Sequence, residues 1–417
     1  MRVAYCIRAL FPQHGYGGLE RAGTELMEHL LASGVDIALF TRRLPYNQPL
    51  QVANSTAQLT VRTADYGRLP LRPNGIPARL TNYRSFVETL GIYVSGVARA
   101  GLVDVIYAHG LCAWGVRRAS EWGVPLVVNP HGLEEFKTRD RLKRLAYAPF
   151  RRWVRAGCRA SDRVISTDAA MHEEVARLLK LHPRKVVVLP NGIDLMKIRA
   201  YSNPQIQEDL TAQWAHLRGG DAVIRGISVG RLEQNKGFEH LLRALALAKA
   251  ELGLHWGWLL IGEGSLRLQL ERLSGELGLD RNLFFAGHVS ENELHNLYDL
   301  SNMFVHPTLF EGSSLVTLEA MAHGLPIIAS ATGGIPDKVS HGISGFLTPP
   351  GDEMALAEHI AWFAAHPQER AKMGHQSSVA VTAFDWTRIA LATKLMLAEL
   401  IDERISCRDR EVPLRPL

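Results

Sequence analysis

Four cysteines in 417 residues are few, and their placement speaks against most of what cysteine does in a fold. Cys6, Cys112, Cys158 and Cys407 show neither metal-ligand spacing nor a pairing pattern, so reduced thiols in a cytosolic protein are expected. Long hydrophobic runs are missing too. No segment approaches the roughly 20 apolar residues of a membrane span, and the opening MRVAYCIRAL is interrupted by Arg8 too early for a secretory leader. It reads instead as the first strand of a domain. No cluster of His, Cys or carboxylates has metal-site spacing, and no internal repeat is visible beyond a duplicated architecture. A net charge of +5, with 47% hydrophobic and 21% charged residues, excludes disorder and suggests no nucleic-acid partner.

What the chain has is regular alternation. Short runs rich in Val and Ile alternate with helical patterns from end to end, as in parallel sheets covered by helices on both faces. The first series of strands is Arg2 to Arg8, Val35 to Thr41, Val103 to Ala108, Pro125 to Asn129, Arg163 to Ser166 and Lys185 to Leu189. The second is Val223 to Val229, Trp256 to Ile261, Leu283 to Ala286, Met303 to Val305, Ile327 to Ala329 and Gly345 to Leu347. Two doubly wound α/β domains of Rossmann type are therefore expected, facing each other across a cleft. The turn cluster Leu189-Pro190-Asn191-Gly192-Ile193-Asp194 marks the junction, giving a first domain over 1–200 and a second over 201–383. Residues 384–403 form a helix expected to cross back to the first domain, and 404–417 a frayed tail. Pro45 to Pro77, with five prolines and no clear periodicity, reads as an irregular excursion.

The densest chemistry lies in HPTLFEGSSLVTLEAMAHGLPIIASATGGIPD, from His306 to Asp337. Glu311 and Glu319 stand eight positions apart around a Gly-Ser-Ser turn that opens a helix directly after a strand. Such a turn leaves amides free for a phosphate at the helix start, and an ionised Glu suits a vicinal diol. Gly230 to Gly237, GRLEQNKG, also follows a strand and opens a helix, placing Arg231 and Lys236 where a diphosphate would meet two cations. Taken alone, that pair reads as ordinary surface charge. The turn FPQHGYGGLE brings Gly15, Gly17 and Gly18 to the start of a helix near Leu19, and Gly262-Glu263-Gly264-Ser265 repeats the idea. Each by itself proves only a tight turn. His109 and His131 end consecutive strands of the first domain, at the edge where open α/β sheets bind ligands, although a lone histidine is more often a packed core residue.

One stretch is unevenly charged. From Lys137 to Arg159 the sequence KTRDRLKRLAYAPFRRWVRAGCR carries Asp140 as its only acid and interleaves Leu142, Leu145, Tyr147, Phe150, Trp153 and Val154. Two readings stand side by side: a basic amphipathic segment for an anionic membrane face, and a solvated helix face backed by a normal core face.

Taken together, Gly17-Gly18-Leu19-Glu20, Gly230-Arg231 with Lys236-Gly237, Gly262-Glu263-Gly264, Pro190-Asn191-Gly192-Ile193-Asp194 and Glu311-x7-Glu319 with its Glu319-Ala320-Met321-Ala322-x-Gly324-x-Pro326 continuation resemble the retaining glycosyltransferases of family 4. The resemblance runs through nearly the whole chain in the right order. It implies the two-domain GT-B fold, an acceptor-binding first domain and a second domain that binds a nucleoside-diphosphate sugar. It further implies that Arg231 and Lys236 hold the diphosphate, Glu319 the ribose, Glu311 the transferred sugar, and that Ser313, Ser314 and Leu315 offer amides to sugar or phosphate. Gly17 and Gly18 would approach the pyrophosphate, His131 would lie near the donor sugar, and the backbone at His288 and Val289 would touch the base. Ser313-Ser314 is polar where many members carry bulkier or Gly/Pro residues.

The activity so implied is transfer of a hexosyl or N-acetylhexosaminyl group to a hydroxyl of a glycan or lipid-linked acceptor, with no cofactor and no metal. Cations and preorganised amides stabilise the departing diphosphate, and the acceptor attacks from the leaving-group face. Catalytic roles are expected for Glu311, His131, Arg231 and Lys236. A place in cell-envelope polysaccharide biosynthesis, in the cytoplasm or peripheral on the inner membrane face, goes with that reading. Paired carboxylates also fit a glycoside hydrolase, but that leaves Arg231 and Lys236 without a task. A nucleotide-sugar epimerase and a non-catalytic relic of a transferase share the diphosphate site and are the closer rivals.

Overall fold

The structure is a computed structural model that describes residues 1–15, 17–45, 50, 56–66, 76–137, 141–214, 224–253 and 256–411. The chain divides into two compact units, Met1–Asn191 together with Trp386–Leu417, and Gly192–Asp385. Each contains one wholly parallel sheet, of seven and of six strands.

In the first unit the strands are β1 (Arg2–Cys6), β2 (Asp36–Arg42), β3 (Leu59–Ala64), β4 (Val105–His109), β5 (Leu126–Asn129), β6 (Arg163–Ser166) and β7 (Val186–Val188), in the order β3-β2-β1-β4-β5-β6-β7. Strands β1 and β4 are buried almost end to end, as strands covered on both faces must be, which is why they read as unbroken apolar runs. Strand β3 is different. It lies inside the Pro45 to Pro77 stretch, where no strand is expected from the sequence, and pairs with β2 from Ile37↔Leu59 to Arg42↔Ala64. As an edge strand it exposes Thr60, Val61, Arg62 and Thr63 in succession, so it carries no apolar run or alternation to betray it. Residues 46–49, 51–55 and 67–75 of that stretch lie outside the described residues.

The second unit has β8 (Ile224–Val229), β9 (Trp256–Ile261), β10 (Leu283–Gly287), β11 (Met303–His306), β12 (Ile327–Ser330) and β13 (Gly345–Thr348), in the order β10-β9-β8-β11-β12-β13. Strand order reverses between β1 and β4 in one unit and between β8 and β11 in the other. At such a switch point the connections leave in opposite directions and open a crevice at the strands' carboxyl ends.

The unit boundaries fall after Asn191 and after Asp385, rather than at residues 200 and 383. Packing explains the first shift. Helix Leu195–Tyr201 belongs to the second unit, where the Tyr201 ring stacks on His295 at 4.6 Å and the Asn203 amide donates to Asn296 Oδ1. The last helix, Trp386–Glu411, packs in the first unit on helix Gly18–Ala32. Its anchor is the Trp386 indole, 1% exposed, which donates Nε1–H to the buried Glu25 Oε2 at 2.5 Å, while Lys394 donates to the Ser33 carbonyl at 2.6 Å. Glu25 also accepts from Arg21 Nε at 3.3 Å.

Trp386→Phe keeps the ring's bulk and removes the N–H from a buried carboxylate. The expected loss is about 1–3 kcal/mol of the first unit's stability, read as a lower urea midpoint by far-UV circular dichroism; an unchanged midpoint would show that Arg21 alone satisfies Glu25.

Candidate active site

Because β8 and β11 are neighbours, the segments that follow them meet. After β8 the chain turns through Gly230 to Gly237, and Gly237 adopts φ +65°, with its α-carbon so close to the Pro307 carbonyl that a Cβ would collide with it. After β11 the chain passes Pro307 and Thr308 to Glu311. The two segments are stitched by the Asn235 carbonyl, which accepts from the Leu309 amide at 2.8 Å and from Thr308 Oγ1 at 2.9 Å. On the far side Gly333, at φ +58°, lies against the Glu311 carbonyl, again too near for a Cβ.

Held this way, Lys236 Nζ donates to Glu311 Oε2 at 2.6 Å and His306 Nε2 reaches the same oxygen at 3.0 Å. Glu311 Oε1 accepts from the Gly312 amide at 3.3 Å. The side chains of Lys236, Glu311 and His306 are 14%, 15% and 0% exposed. Burial alone would raise the Glu311 carboxyl, but the His306 hydrogen bond and the Lys236 charge outweigh it and hold the group well below the ordinary carboxylate range. Burial likewise lowers His306, against the pull of Glu311, so the ring is neutral near pH 7. A neutral ring facing a carboxylate must present Nε2–H to it. That leaves Nδ1 as a buried acceptor without a partner among the described residues.

Glu319 stands elsewhere in chemistry. It sits inside helix Leu315–Ala322, is 2% exposed, and accepts from the Tyr298 hydroxyl at 3.4 Å. Ser314 caps that helix, its Oγ accepting from the Thr317 amide at 3.4 Å and the Thr317 hydroxyl at 2.8 Å, and the buried Ser313 Oγ has no partner among the described residues. Leu315 begins the helix. Arg231 is not drawn into the cluster. It is 62% exposed and pairs with Glu233 at 2.9 Å. His288 and Val289 follow β10 past Gly287, His288 being exposed and Val289 half-buried.

In the first unit, Gly17 is the N-cap of helix Gly18–Ala32 and Gly18 its first residue. His131 adopts φ +58°, its amide donating to Asn129 Oδ1 at 3.0 Å. Its Nε2 lies 2.8 Å from His109 Nδ1, and the two rings stack. Burial pushes His131 down to about 4 and His109 well below its usual value, so both are neutral and one donates to the other. His109 is packed against Tyr5 and Tyr107, and its Nε2 is buried without a partner among the described residues, beside a small cavity lined by Asn129, Trp386 and Thr393.

Two residues escaped the sequence reading of the site. His306 ends a strand, as His109 does, and the same strand-end argument applied to His306-Pro307 would have found it. Tyr298, on helix Glu291–Asp299, carried no signal, because its link to Glu319 exists only once two helices pack. Among the described residues no group of three His, Cys, Asp or Glu is placed to hold a metal ion.

Comparison with known proteins bears on the fold and the family. Residues 16–197 match Glycosyltransferase Family 4, and residues 220–378 match Glycosyl transferases group 1. The D-inositol 3-phosphate glycosyltransferase of Streptomyces scabiei is 28% identical over 405 residues, covering 93% of this chain and 88% of that protein. The enzyme of the same name from Saccharomonospora viridis is 28% identical over 388 residues, covering 89% and 86%. Among solved structures, the sucrose-phosphate synthase of Thermosynechococcus elongatus superposes with TM-score 0.78 at 24% identity, over 96% of this chain and 99% of that one. Anabaena Alr3699/HepE in complex with UDP gives 0.71 at 20%, over 96% and 100%. Two parallel-sheet units of this kind make up the GT-B fold. The chain belongs to glycosyltransferase family 4, the group 1 glycosyl transferases.

Glu311 adds stability above the unfolded carboxylate range, near 4.3, and loses it as pH falls through its depressed folded value. His306→Leu leaves burial opposed by Lys236 alone, which raises the folded value and moves acid unfolding to higher pH. His306→Gln, whose amide can donate to the same oxygen, stays nearer the parent. Acid titration by circular dichroism checks this, and coincident curves for all three proteins would sever His306 from Glu311.

Proposed function

We propose that this glycosyltransferase moves a hexosyl or N-acetylhexosaminyl group from a nucleoside-diphosphate sugar to a hydroxyl of a glycan or lipid-linked acceptor, with retention and without a metal cofactor. The observation that carries the reading is the Lys236–Glu311–His306 cluster at the β8/β11 switch point. Lys236 and Glu311 neutralise one another. A diphosphate competes for Lys236, and the carboxylate it gives up stays oriented by His306 Nε2–H, with its other valences free for sugar hydroxyls. Arg231, exposed and tied only to neighbouring Glu233, is the second cation for the leaving group. Charge that develops on the departing diphosphate is then stabilised by preorganised cations, so the chemistry does not require a Lewis acid.

Glu319 is the proposed ribose anchor, Ser313, Ser314 and Leu315 the proposed amide donors, and His288 and Val289 the proposed contacts to the base. For Gly17, Gly18 and His131 the support is the family resemblance of their motifs. A relative in complex with UDP, and relatives named for glycosyl transfer to an inositol phosphate, favour a UDP-type donor and a hydroxylated acceptor. The isomerase alternative predicts sugar interconversion without acceptor, and the relic predicts binding without turnover.

Location is proposed to be cytoplasmic, at the inner membrane face. No helix among the described residues is long and apolar enough to cross a membrane. The basic segment divides its apolar residues in two. In helix Ala148–Ala160, Phe150 and Val154 are core, but Leu142 and Leu145 of helix Arg141–Ala146 are 80% and 75% exposed beside exposed Arg144. Residues 138–140 lie outside the described residues. Exposed leucines next to arginine favour the interfacial reading for that short helix.

UDP at about a hundred times its dissociation constant should add about 2.7 kcal/mol of apparent stability, seen as a rise of a few degrees in melting temperature. Lys236→Ala and Glu319→Ala should abolish most of that rise; retention of the full shift by both would refute the site. Vesicles containing anionic lipid should retain the protein at low salt and release it at high salt, and Leu142→Ser with Leu145→Ser should weaken retention. Equal recovery on neutral vesicles would rule out the membrane contact.

A further inference from the structure

A second cationic centre lies in the first unit. Arg42 is the last residue of β2 and Arg8 lies two residues beyond β1. The two strands are paired in register from Arg2↔Asp36 to Cys6↔Phe40, and the pairing continues past them: the Arg8 carbonyl accepts from the Arg42 amide at 3.4 Å and from Thr41 Oγ1 at 3.4 Å. Two guanidinium groups are thus carried side by side at the carboxyl edge of the sheet, the edge at which open α/β sheets take their ligands.

Their partners are unequal. Arg8 is bound to Glu20 Oε1 at 3.3 Å and lies over the Tyr83 ring at 5.2 Å. Arg42, half-buried, makes no ion pair and no side-chain hydrogen bond among the described residues. Burial and the neighbouring Arg8 charge both press its guanidinium below its ordinary value. His14 adds no further charge. His14 has its Nδ1 occupied by the Leu10 amide at 3.0 Å, so its Nε2–H is committed to the Arg43 carbonyl at 3.0 Å, and burial keeps the ring neutral. Tyr66 and Tyr83, with rings edge to face at 5.4 Å, form the aromatic wall. A half-buried guanidinium beside a second one, with a single carboxylate already taken, is an arrangement in want of an anion. A fork of five N–H donors beside another matches a tetrahedral dianion, which accepts from both at once.

We propose that Arg8 and Arg42 form an anion subsite in the first unit that takes a phosphomonoester group carried by the acceptor. It rests on the reading that this chain transfers a sugar to an acceptor, and it narrows that acceptor to a phosphorylated polyol, sugar or lipid headgroup. Phosphate at the subsite neutralises the arginine pair and fixes the acceptor by one end, leaving its hydroxyls free.

The test uses the full chain and four probes: inorganic phosphate against chloride at equal ionic strength, inositol 3-phosphate, inositol, and UDP. Melting temperature and titration calorimetry are the readouts. Phosphate and inositol 3-phosphate should stabilise the parent and inositol should not. Arg42→Gln should weaken the two phosphate responses about tenfold or more, the worth of a charge-assisted contact, and Arg42→Lys, which keeps the charge but loses the fork, should fall between. UDP stabilisation should persist in both variants and vanish in Lys236→Ala, which in turn should keep its response to inositol 3-phosphate. Arg42 has no partner among the described residues to lose, so both variants should match the parent spectrum without ligand. An Arg42→Gln protein that answers inositol 3-phosphate as the parent does overturns the subsite. So does a phosphate response lost in Lys236→Ala instead, because the anion would then be reading the donor site. Absence of UDP binding in the parent would remove the donor reading while the phosphate arms still judge the arginine pair.

Discussion

One carboxylate oxygen organises the second unit's site. Glu311 Oε2 receives an ammonium and an imidazole N–H within 3.0 Å, in a place where neither the acid nor the histidine could stay buried alone. The arrangement is possible only because β8 and β11 run side by side, so that two segments about seventy residues apart end at the same edge. Everything that looks incidental around it serves that closeness: a left-handed glycine against the Pro307 carbonyl, another against the Glu311 carbonyl, and one asparagine carbonyl joining the two turns. An ion pair so enclosed is costly to desolvate. Under the proposed function it is exchangeable, a ligand with phosphate and hydroxyl groups satisfying both partners at once.

The same physics recurs in the first unit with other residues. There the buried pair is two neutral histidines, His109 and His131, stacked at a strand end with one ring nitrogen left unpartnered. Charge is kept to the outer edge, where Arg8 and Arg42 stand at the ends of β1 and β2. Each sheet therefore shows one division of labour. Neutral or self-compensated groups occupy the buried strand ends, and the more exposed cations stand farther out, as Arg231, paired with Glu233, does in the second unit.

Much of this was legible in the sequence. Eleven of the thirteen strands announce themselves as short apolar runs closely matching their observed limits, because parallel strands are buried on both faces and leave little room for polar alternation. Strand β7 is only three residues long within its expected run, and β3, solvated at the edge, gave no signal at all. The glycine-rich turns, the strand-end histidines, Lys236 and Glu311 were visible as motifs because turns and charges at strand ends have few structural reasons to be there.

Sequence by itself settled the fold class, the family and the residue types at each strand end, since these follow from local periodicity and from motifs contained in short segments. Only tertiary structure decided which of those residues meet. Glu311 and Glu319 are alike in the chain, yet one is held by Lys236 and His306 and the other is buried under Tyr298. Arg231 and Lys236 sit on one turn, yet only Lys236 reaches the carboxylate. The reason is geometric. Side-chain partnership depends on strand order and on where a turn closes within a few ångströms, and neither quantity is written in the spacing of residues along the chain.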